Sequence, residues 1–192
     1  MKNLLQGTRV YLAGVVEADP IGAVSWRQDI TEKLAKYDTQ IYNPLVKPDW
    51  LPEYSRVDVQ VYKDVLAGKQ PKVDMDLPTV FEANSAVRRI CLRMVSSCDW
   101  IICHMPKTFT AGTFEELYLA AQLEKPVLFH LPDGVPPTWV LPIFANADTM
   151  KETYFKTWDA MFEHIEKLND GTAPMDPYKW LSVCYTPECL VK

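Results

Sequence analysis

The chain has no apolar stretch approaching the roughly 20 residues that a bilayer-spanning helix requires, and residues 1–7 are too few for a secretory leader. A membrane partner is therefore not expected. Basic runs are missing too: 20 Lys and Arg stand against 25 Asp and Glu, for a net charge of −5. Binding a nucleic-acid polymer takes a clustered positive face, so no such polymer is expected as a partner. The same balance is no obstacle to a nucleotide as a small substrate. The five cysteines (Cys91, Cys98, Cys103, Cys184 and Cys189) form no Cys-x-x-Cys pair, and no histidine joins them at metal-ligand spacing. No metal and no other cofactor is expected from that pattern. An odd thiol count in an acidic chain fits reduced cysteines and a cytoplasmic location. Internal repeats and low-complexity segments are also absent.

What is present is enough for one domain with a real core: 192 residues, 48% of them hydrophobic. The best-organised stretch is residues 99–130. Residues 100–104 form a short apolar run of strand length, residues 105–112 a polar turn, and residues 113–123 carry Phe114, Leu117, Tyr118 and Ala121 at helical spacing. A second apolar run follows Pro126. This is a βαβ unit, and such units predict a single doubly wound, mostly parallel five-stranded sheet of flavodoxin or Rossmann type, with helices on both faces. Ligands of such sheets bind at the carboxyl ends of the strands, which makes residues 105–112 the default site.

The rest of the chain mostly follows the same alternation. Residues 8–13 read as the first strand, ended by Gly14, and residues 15–23 as a loop. Ser25 is expected to cap a helix over 26–36, with Trp26, Ile30 and Leu34 on one face. Residues 39–42 read as a second strand closed by Asn43-Pro44. A proline-rich insertion over about 45–79, with a helix near 56–67, fits a lid or an inert surface excursion. Residues 79–96 read as helix, 131–137 as loop, 139–144 as a fifth, edge strand, and 151–168 as a closing helix burying Phe155, Trp158, Met161, Phe162 and Ile165. The domain thus spans residues 1–168. Residues 169–192 form a tail whose Tyr178, Trp180, Leu181, Val183 and Tyr185 are apolar enough to pack on the domain or on a neighbouring subunit.

The central loop suits an oxygen-rich ligand. Gly112 would let the backbone approach closely, the helix beyond it offers N–H groups and a positive dipole end, and Thr108, Thr110 and Thr113 add hydroxyls. Thr-Gly before a helix is equally an ordinary cap. Glu115 and Glu116 fall in the expected first turn, where a carboxylate is favoured by the dipole without any catalytic task. The two point about 100° apart, and composition does not choose between them.

A resemblance does. Tyr11-Leu12-Ala13-Gly14, then Gly112-Thr113-x-x-Glu116-Leu117-x-x-Ala120 and Lys125-Pro126-Val127, resemble the nucleoside 2-deoxyribosyltransferase family, whose superfamily also holds nucleotide N-glycosidases. Gly14-x-x-Glu17, Trp26-Arg27 and Asn43-Pro44 are similar to variants of that family in small viral and bacterial proteins. The likeness covers roughly residues 8–130. It implies a retaining, double-displacement reaction at the anomeric carbon of a nucleoside, with Glu116 as nucleophile and Tyr11 orienting its carboxyl. It also implies a pocket drawn from Gly14, Glu17, Trp26, Asn43, Arg88, Cys91, Thr110, Gly112 and Thr113. The partners implied are a nucleoside or nucleotide, a free base and further copies of the chain in a homo-oligomer. On residues alone, Tyr11 is also a half-buried strand aromatic, Trp26 a helix-core residue, Asn43 a strand terminator, Glu17 a solvated loop acid and Arg88 an exposed arginine.

The chain departs from the family at one position. The family has an Asp in the helix before the third strand, eight residues ahead of the Asp that opens it. If Asp99 is the latter, the former is Cys91, and a thiol is a poor proton donor to a departing base. Three readings follow: a sugar transferase, an N-glycoside hydrolase and a non-catalytic nucleotide-binding module.

Overall fold

The structure is a computed structural model of the chain, and it describes residues 3–16, 20–46, 67, 69, 77–106, 110–133, 140–146 and 148–184. The insertion's expected helix near 56–67 and most of the segment around it lie outside the described residues.

Among these residues, five parallel strands make one sheet: β1 (Arg9–Gly14), β2 (Gln40–Tyr42), β3 (Trp100–His104), β4 (Val127–His130) and β5 (Tyr154–Phe155). Their order is β2-β1-β3-β4-β5. Strand connections run in opposite directions from β1, so the sheet has its switch point between β1 and β3. Register pairs Tyr11 with Ile101 and Gly14 with His104, and β4 continues it by pairing His104 with His130.

Period-two alternation divides the core between the faces. Val10, Leu12, Trp100, Ile102 and Leu128 bury against Trp26, Ile30 and Leu34 of helix α1 (Pro20–Leu34). Helix α6 (Trp158–Asp170) adds Met161, Ile165 and Leu168 to that face. Tyr11, Ala13, Ile101, Cys103, Val127 and Phe129 face the other way, against Val95 of α2 (Leu77–Ser97) and Leu117 and Ala120 of α3 (Ala111–Gln122). Each such large side chain withdrawn from water contributes about 1.5–3 kcal/mol before entropy is counted. The doubly wound architecture follows from this two-sided burial. Among the described residues no helix is long and apolar enough to cross a membrane.

Several boundaries differ from the sequence expectation. Helix α1 starts at Pro20, not after Ser25. Proline is pre-set for a first helical position, and Ser25 sits inside the helix with its hydroxyl donating to the Gly22 carbonyl at 3.2 Å. The expected edge strand over 139–144 is instead a single helical turn, α4 (Leu141–Phe144). Pro142 has no N–H to give a ladder. The edge is β5, and it splits the expected closing helix into α5 (Met150–Thr153) and α6, the latter capped by Thr157 accepting from the Ala160 N–H at 3.2 Å. Phe155, Met161 and Ile165 are buried as expected, whereas Trp158 and Phe162 are partly buried. In the tail, Trp180 and Val183 join the core of their own chain, beside a last turn α7 (Leu181–Cys184), while Tyr178 and Leu181 are exposed.

At the amino end of the sheet, Asp99 accepts from the Arg9 backbone N–H at 2.7 Å and from its guanidinium at 3.0 and 2.9 Å. Burial raises the Asp99 carboxyl's proton affinity, but the Arg9 contacts outweigh it and hold the group below its usual range. Lys125 donates to the Ser96 and Cys98 carbonyls at 3.1 and 2.6 Å, satisfying the end of α2. The Lys125-Pro126 pair thus ties a helix end to the start of β4.

Candidate active site

The carboxyl ends of β1 and β3 gather the titratable groups. Tyr11 points from the middle of β1 toward α2 and α3 and is fully buried. Its hydroxyl donates to Glu116 Oε1 at 2.6 Å across 105 positions of sequence. Burial pushes the phenol well above its usual range, and the Glu116 charge and contact with Cys91 push the same way. Tyr11 is therefore a neutral donor at any physiological pH.

The geometry of α3 decides which glutamate faces the sheet. Thr110 is its N-cap, accepting from the Thr113 N–H at 3.5 Å, so the helix begins at Ala111. Glu115 and Glu116 are consequently in the second turn, beyond the dipole position expected for them. Thr113, Leu117 and Ala120 are the buried stripe of α3. Glu116 is three residues after the first and four before the last, so it leans on that stripe toward β1. Glu115 faces α2, where Arg88 engages it through both Nε and Nη2. Adjacent glutamates thus meet different partners.

A second group closes the end of β1. Gly14 has φ +148°, and a Cβ built on it would meet the His104 carbonyl oxygen at 2.6 Å and Trp26 at 3.2 Å, so a side chain has no room there. Trp26 is buried, with its ring 5.2 Å from His104 and stacked at 5.8 Å on Trp158. Its Nε1–H has no hydrogen-bond partner among the described residues. His104 and His130, side by side on β3 and β4, bring their Nδ1 atoms to 2.8 Å, so one donates and the other accepts. Trp158 stacks on His130 at 3.8 Å. Burial lowers His130 to about 4.

Sequence reasoning singles out Arg27 only as part of the Trp26-Arg27 pair, not as a site residue. It is fully buried, and its guanidinium donates to the carbonyls of Leu12, Ala23 and Gly14 at 3.2, 2.9 and 3.0 Å. Burial lowers it to about 10, partly offset by Tyr11, Glu116, Cys103 and Cys91, so it is still a cation at neutral pH. The available signal was positional: Ala23, Trp26, Ile30 and Leu34 make the buried stripe of α1, and Arg27 lies on it.

The remaining candidates divide. Cys91, on α2, is partly buried and meets the Tyr11 hydroxyl, so Tyr11, Cys91 and Glu116 come together. Gly14 and Trp26 line the adjoining strand end. Thr110 and Thr113 spend their hydroxyls on the cap and on each other, 3.1 Å apart. Gly112 is an exposed helix residue where an added Cβ would meet nothing within 4 Å, so no close approach requires a glycine there. Asn43 accepts from the Leu45 N–H at 3.0 Å and ends its strand in a side-chain turn. Arg88 is committed to Glu115, and Arg89 donates to Ser85. Glu17 and Thr108 lie outside the described residues. No cluster of three or more metal-ligating side chains occurs among the described residues. A surface cleft of about 520 Å³, lined by Ala121, Glu124, Lys125, Phe144 and Lys179, lies toward the far end of α3 from Glu116.

No family model matches the sequence, and no curated protein matches it. Among solved structures, the chain is similar to the 2-deoxyribosyltransferase of the psychrotolerant bacterium Bacillus psychrosaccharolyticus, at 20% identity and a TM-score of 0.53. The match covers 88% of this chain and 98% of that one. At that identity, what the two share is the α/β fold.

Proposed function

We propose that the chain is an N-glycosyl-transferring enzyme acting on a (deoxy)nucleoside, with Glu116 as its nucleophile. The observation that carries this reading is the 2.6 Å hydrogen bond from a neutral, buried Tyr11 hydroxyl to Glu116 Oε1 beside the sheet's switch point. A tyrosine in that position holds one carboxyl oxygen and so orients the group for attack. The fold shared with a 2-deoxyribosyltransferase supports the same reading.

In the proposed reaction, a Glu116 oxygen attacks C1′ as the N-glycosidic bond breaks, and the bond's electron pair leaves with the base. The result is a glycosyl ester on Glu116. A second base then attacks C1′ from the vacated side and releases the carboxylate, so two inversions give retention. The departing base needs a proton on its nitrogen; if Asp99 is the Asp that opens the family's third strand, Cys91, which meets the Tyr11 hydroxyl, stands where the resemblance has the Asp expected to supply it. Cys91 is a weak acid for that task, which favours bases that leave easily or that take a proton from water.

The test is chromatography of a deoxynucleoside incubated with the protein, with and without a second free base. Base exchange is the expected result. Free sugar without an acceptor would make it a hydrolase, and unchanged substrate with every base would leave a non-catalytic module.

A further inference from the structure

Among the described residues, the Trp26 Nε1–H is the one buried side-chain polar atom without a hydrogen-bond partner. Buried donors in folded chains are nearly always paired, so an exception calls for a reason. Trp26 is only 7% exposed, and its contacts are to the ring faces: Trp158 stacks on the indole at 5.8 Å and the Arg27 guanidinium lies over it at 4.3 Å. Neither uses the Nε1 edge. Nε1 and Cζ2 flank the same ring-fusion carbon, and Cζ2 is the atom that a Cβ on Gly14 would meet at 3.2 Å. The unmade bond is therefore at the carboxyl end of β1, beside the switch point where doubly wound sheets take their ligands. A buried water is the ordinary partner for such a donor, but a water needs several polar partners of its own. The polar atoms around this strand end are already engaged: the Leu12 and Gly14 carbonyls accept from Arg27, and the His104 and His130 Nδ1 atoms pair with each other. The remaining surroundings are aromatic, with Trp158 stacked on His130 at 3.8 Å and His130 kept neutral by burial. Such surroundings suit a flat, uncharged ring better than a charged group.

We infer that the Trp26 Nε1–H is the donor for a carbonyl oxygen of the nucleoside's base, so that the site takes an oxo-purine or an oxo-pyrimidine. The inference deepens the proposed function and rests on it for the identity of the ligand. The N–H is closed to water, so the contact forms through a side-chain movement on binding. A neutral indole transfers no proton. It draws charge from the base as the glycosidic bond breaks and the electron pair passes into the ring, an aid that grows toward the transition state. A base without an exocyclic oxygen leaves the donor unpaired, and a site built around a hydrogen bond discriminates against such a ligand.

The test is binding of 2′-deoxyuridine, with 2′-deoxyadenosine as the nucleoside whose base has no carbonyl. Trp26 is replaced by its sulfur isostere, 3-benzothienylalanine, which keeps the shape and removes the N–H; the indole proton resonance lost on replacement is that of Trp26. Deoxyuridine should move that resonance downfield in the wild type. The isostere should bind deoxyuridine about 10-fold more weakly and deoxyadenosine as well as before. A folded isostere that binds deoxyuridine as tightly as wild type would overturn the inference. So would a Trp26 resonance that already has the shift and slow exchange of a hydrogen-bonded N–H before nucleoside is added, the mark of a buried water only. Should the isostere not fold, Trp26→Phe takes its place, and an unchanged preference for deoxyuridine over deoxyadenosine is the contrary result. The measurement needs no turnover: the affinity loss without base exchange would keep the Trp26 donor and remove the transferase reading, and base exchange undiminished in the isostere would do the reverse. No binding of either nucleoside would overturn both.

Discussion

The two ends of β1 hold carboxylates in opposite ways. At the amino end, Asp99 takes three hydrogen bonds from Arg9, one from its backbone and two from its guanidinium. Toward the carboxyl end, the Tyr11 hydroxyl donates to Glu116, and the buried Arg27 guanidinium donates to the Leu12, Ala23 and Gly14 carbonyls. The first arrangement saturates a carboxylate and fastens β1 to the start of β3. The second holds one carboxyl oxygen through a neutral hydroxyl donor. One strand therefore carries a fastening at one end and, under the proposed function, the contact that orients the nucleophile at the other.

The largest effect should come from the carboxyl end. Glu116→Ala is expected to lower base exchange by on the order of 10³-fold or more, and Tyr11→Phe by about 10- to 100-fold, with the far-UV spectrum unchanged in both. If Asp99→Asn lowered turnover as much as these while the protein stayed folded, the two ends would not differ as described.

At the amino end the expected loss is in stability. Asp99→Asn should cost about 1–2 kcal/mol in denaturant unfolding, limited by the solvent around Arg9, with kcat retained. The folded-state Asp99 is shifted down, so its contribution is present above the unfolded aspartate value and fades as pH falls through the folded one. A stability difference between wild type and Asp99→Asn that persists undiminished in strong acid would contradict this.

His130 adds a second pH effect at the carboxyl end. Burial holds it at about 4 in the folded chain, whereas an unfolded histidine titrates near 6.5. Between those values the unfolded chain binds the proton and the folded one does not, so stability is complete above the upper value and falls toward the lower, by on the order of 1–3 kcal/mol. His130→Asn should flatten that part of the stability–pH curve. An unchanged slope would mean that the imidazole is not excluded from water.

The smallest effect should be at Glu115. Its pair with Arg88 is exposed, so Glu115→Ala should move the thermal midpoint by less than about 2 °C and leave exchange intact. A large loss of activity here, with Glu116→Ala nearly silent, would exchange the roles of the two glutamates.

Much of the architecture was legible because the parallel strands are buried on both faces and read as continuous apolar runs, as in Trp100 to His104. The boundaries that moved did so for local reasons. Pro20 opens α1 earlier than Ser25 suggested, and Thr157 caps α6 after a two-residue strand too short to be seen by periodicity. The Tyr11–Glu116 contact joins residues 105 positions apart and entered the sequence reading through a family resemblance, since no spacing rule relates them. Arg27 was visible as an arginine on an apolar stripe, but a charge on such a stripe has no assigned partner until β1 and its carbonyls are in place. The His104–His130 pair likewise needs the β3–β4 register before the two imidazoles can be seen to touch.

The most direct measurement is intact-protein and peptide mass spectrometry after incubation with a 2′-fluoro-2′-deoxynucleoside, whose slowed second step lets a glycosyl ester accumulate. The account predicts one added fluorosugar mass on the peptide containing Glu116, absent in Glu116→Gln. No adduct at any pH and with any base, or an adduct on another residue, would contradict it.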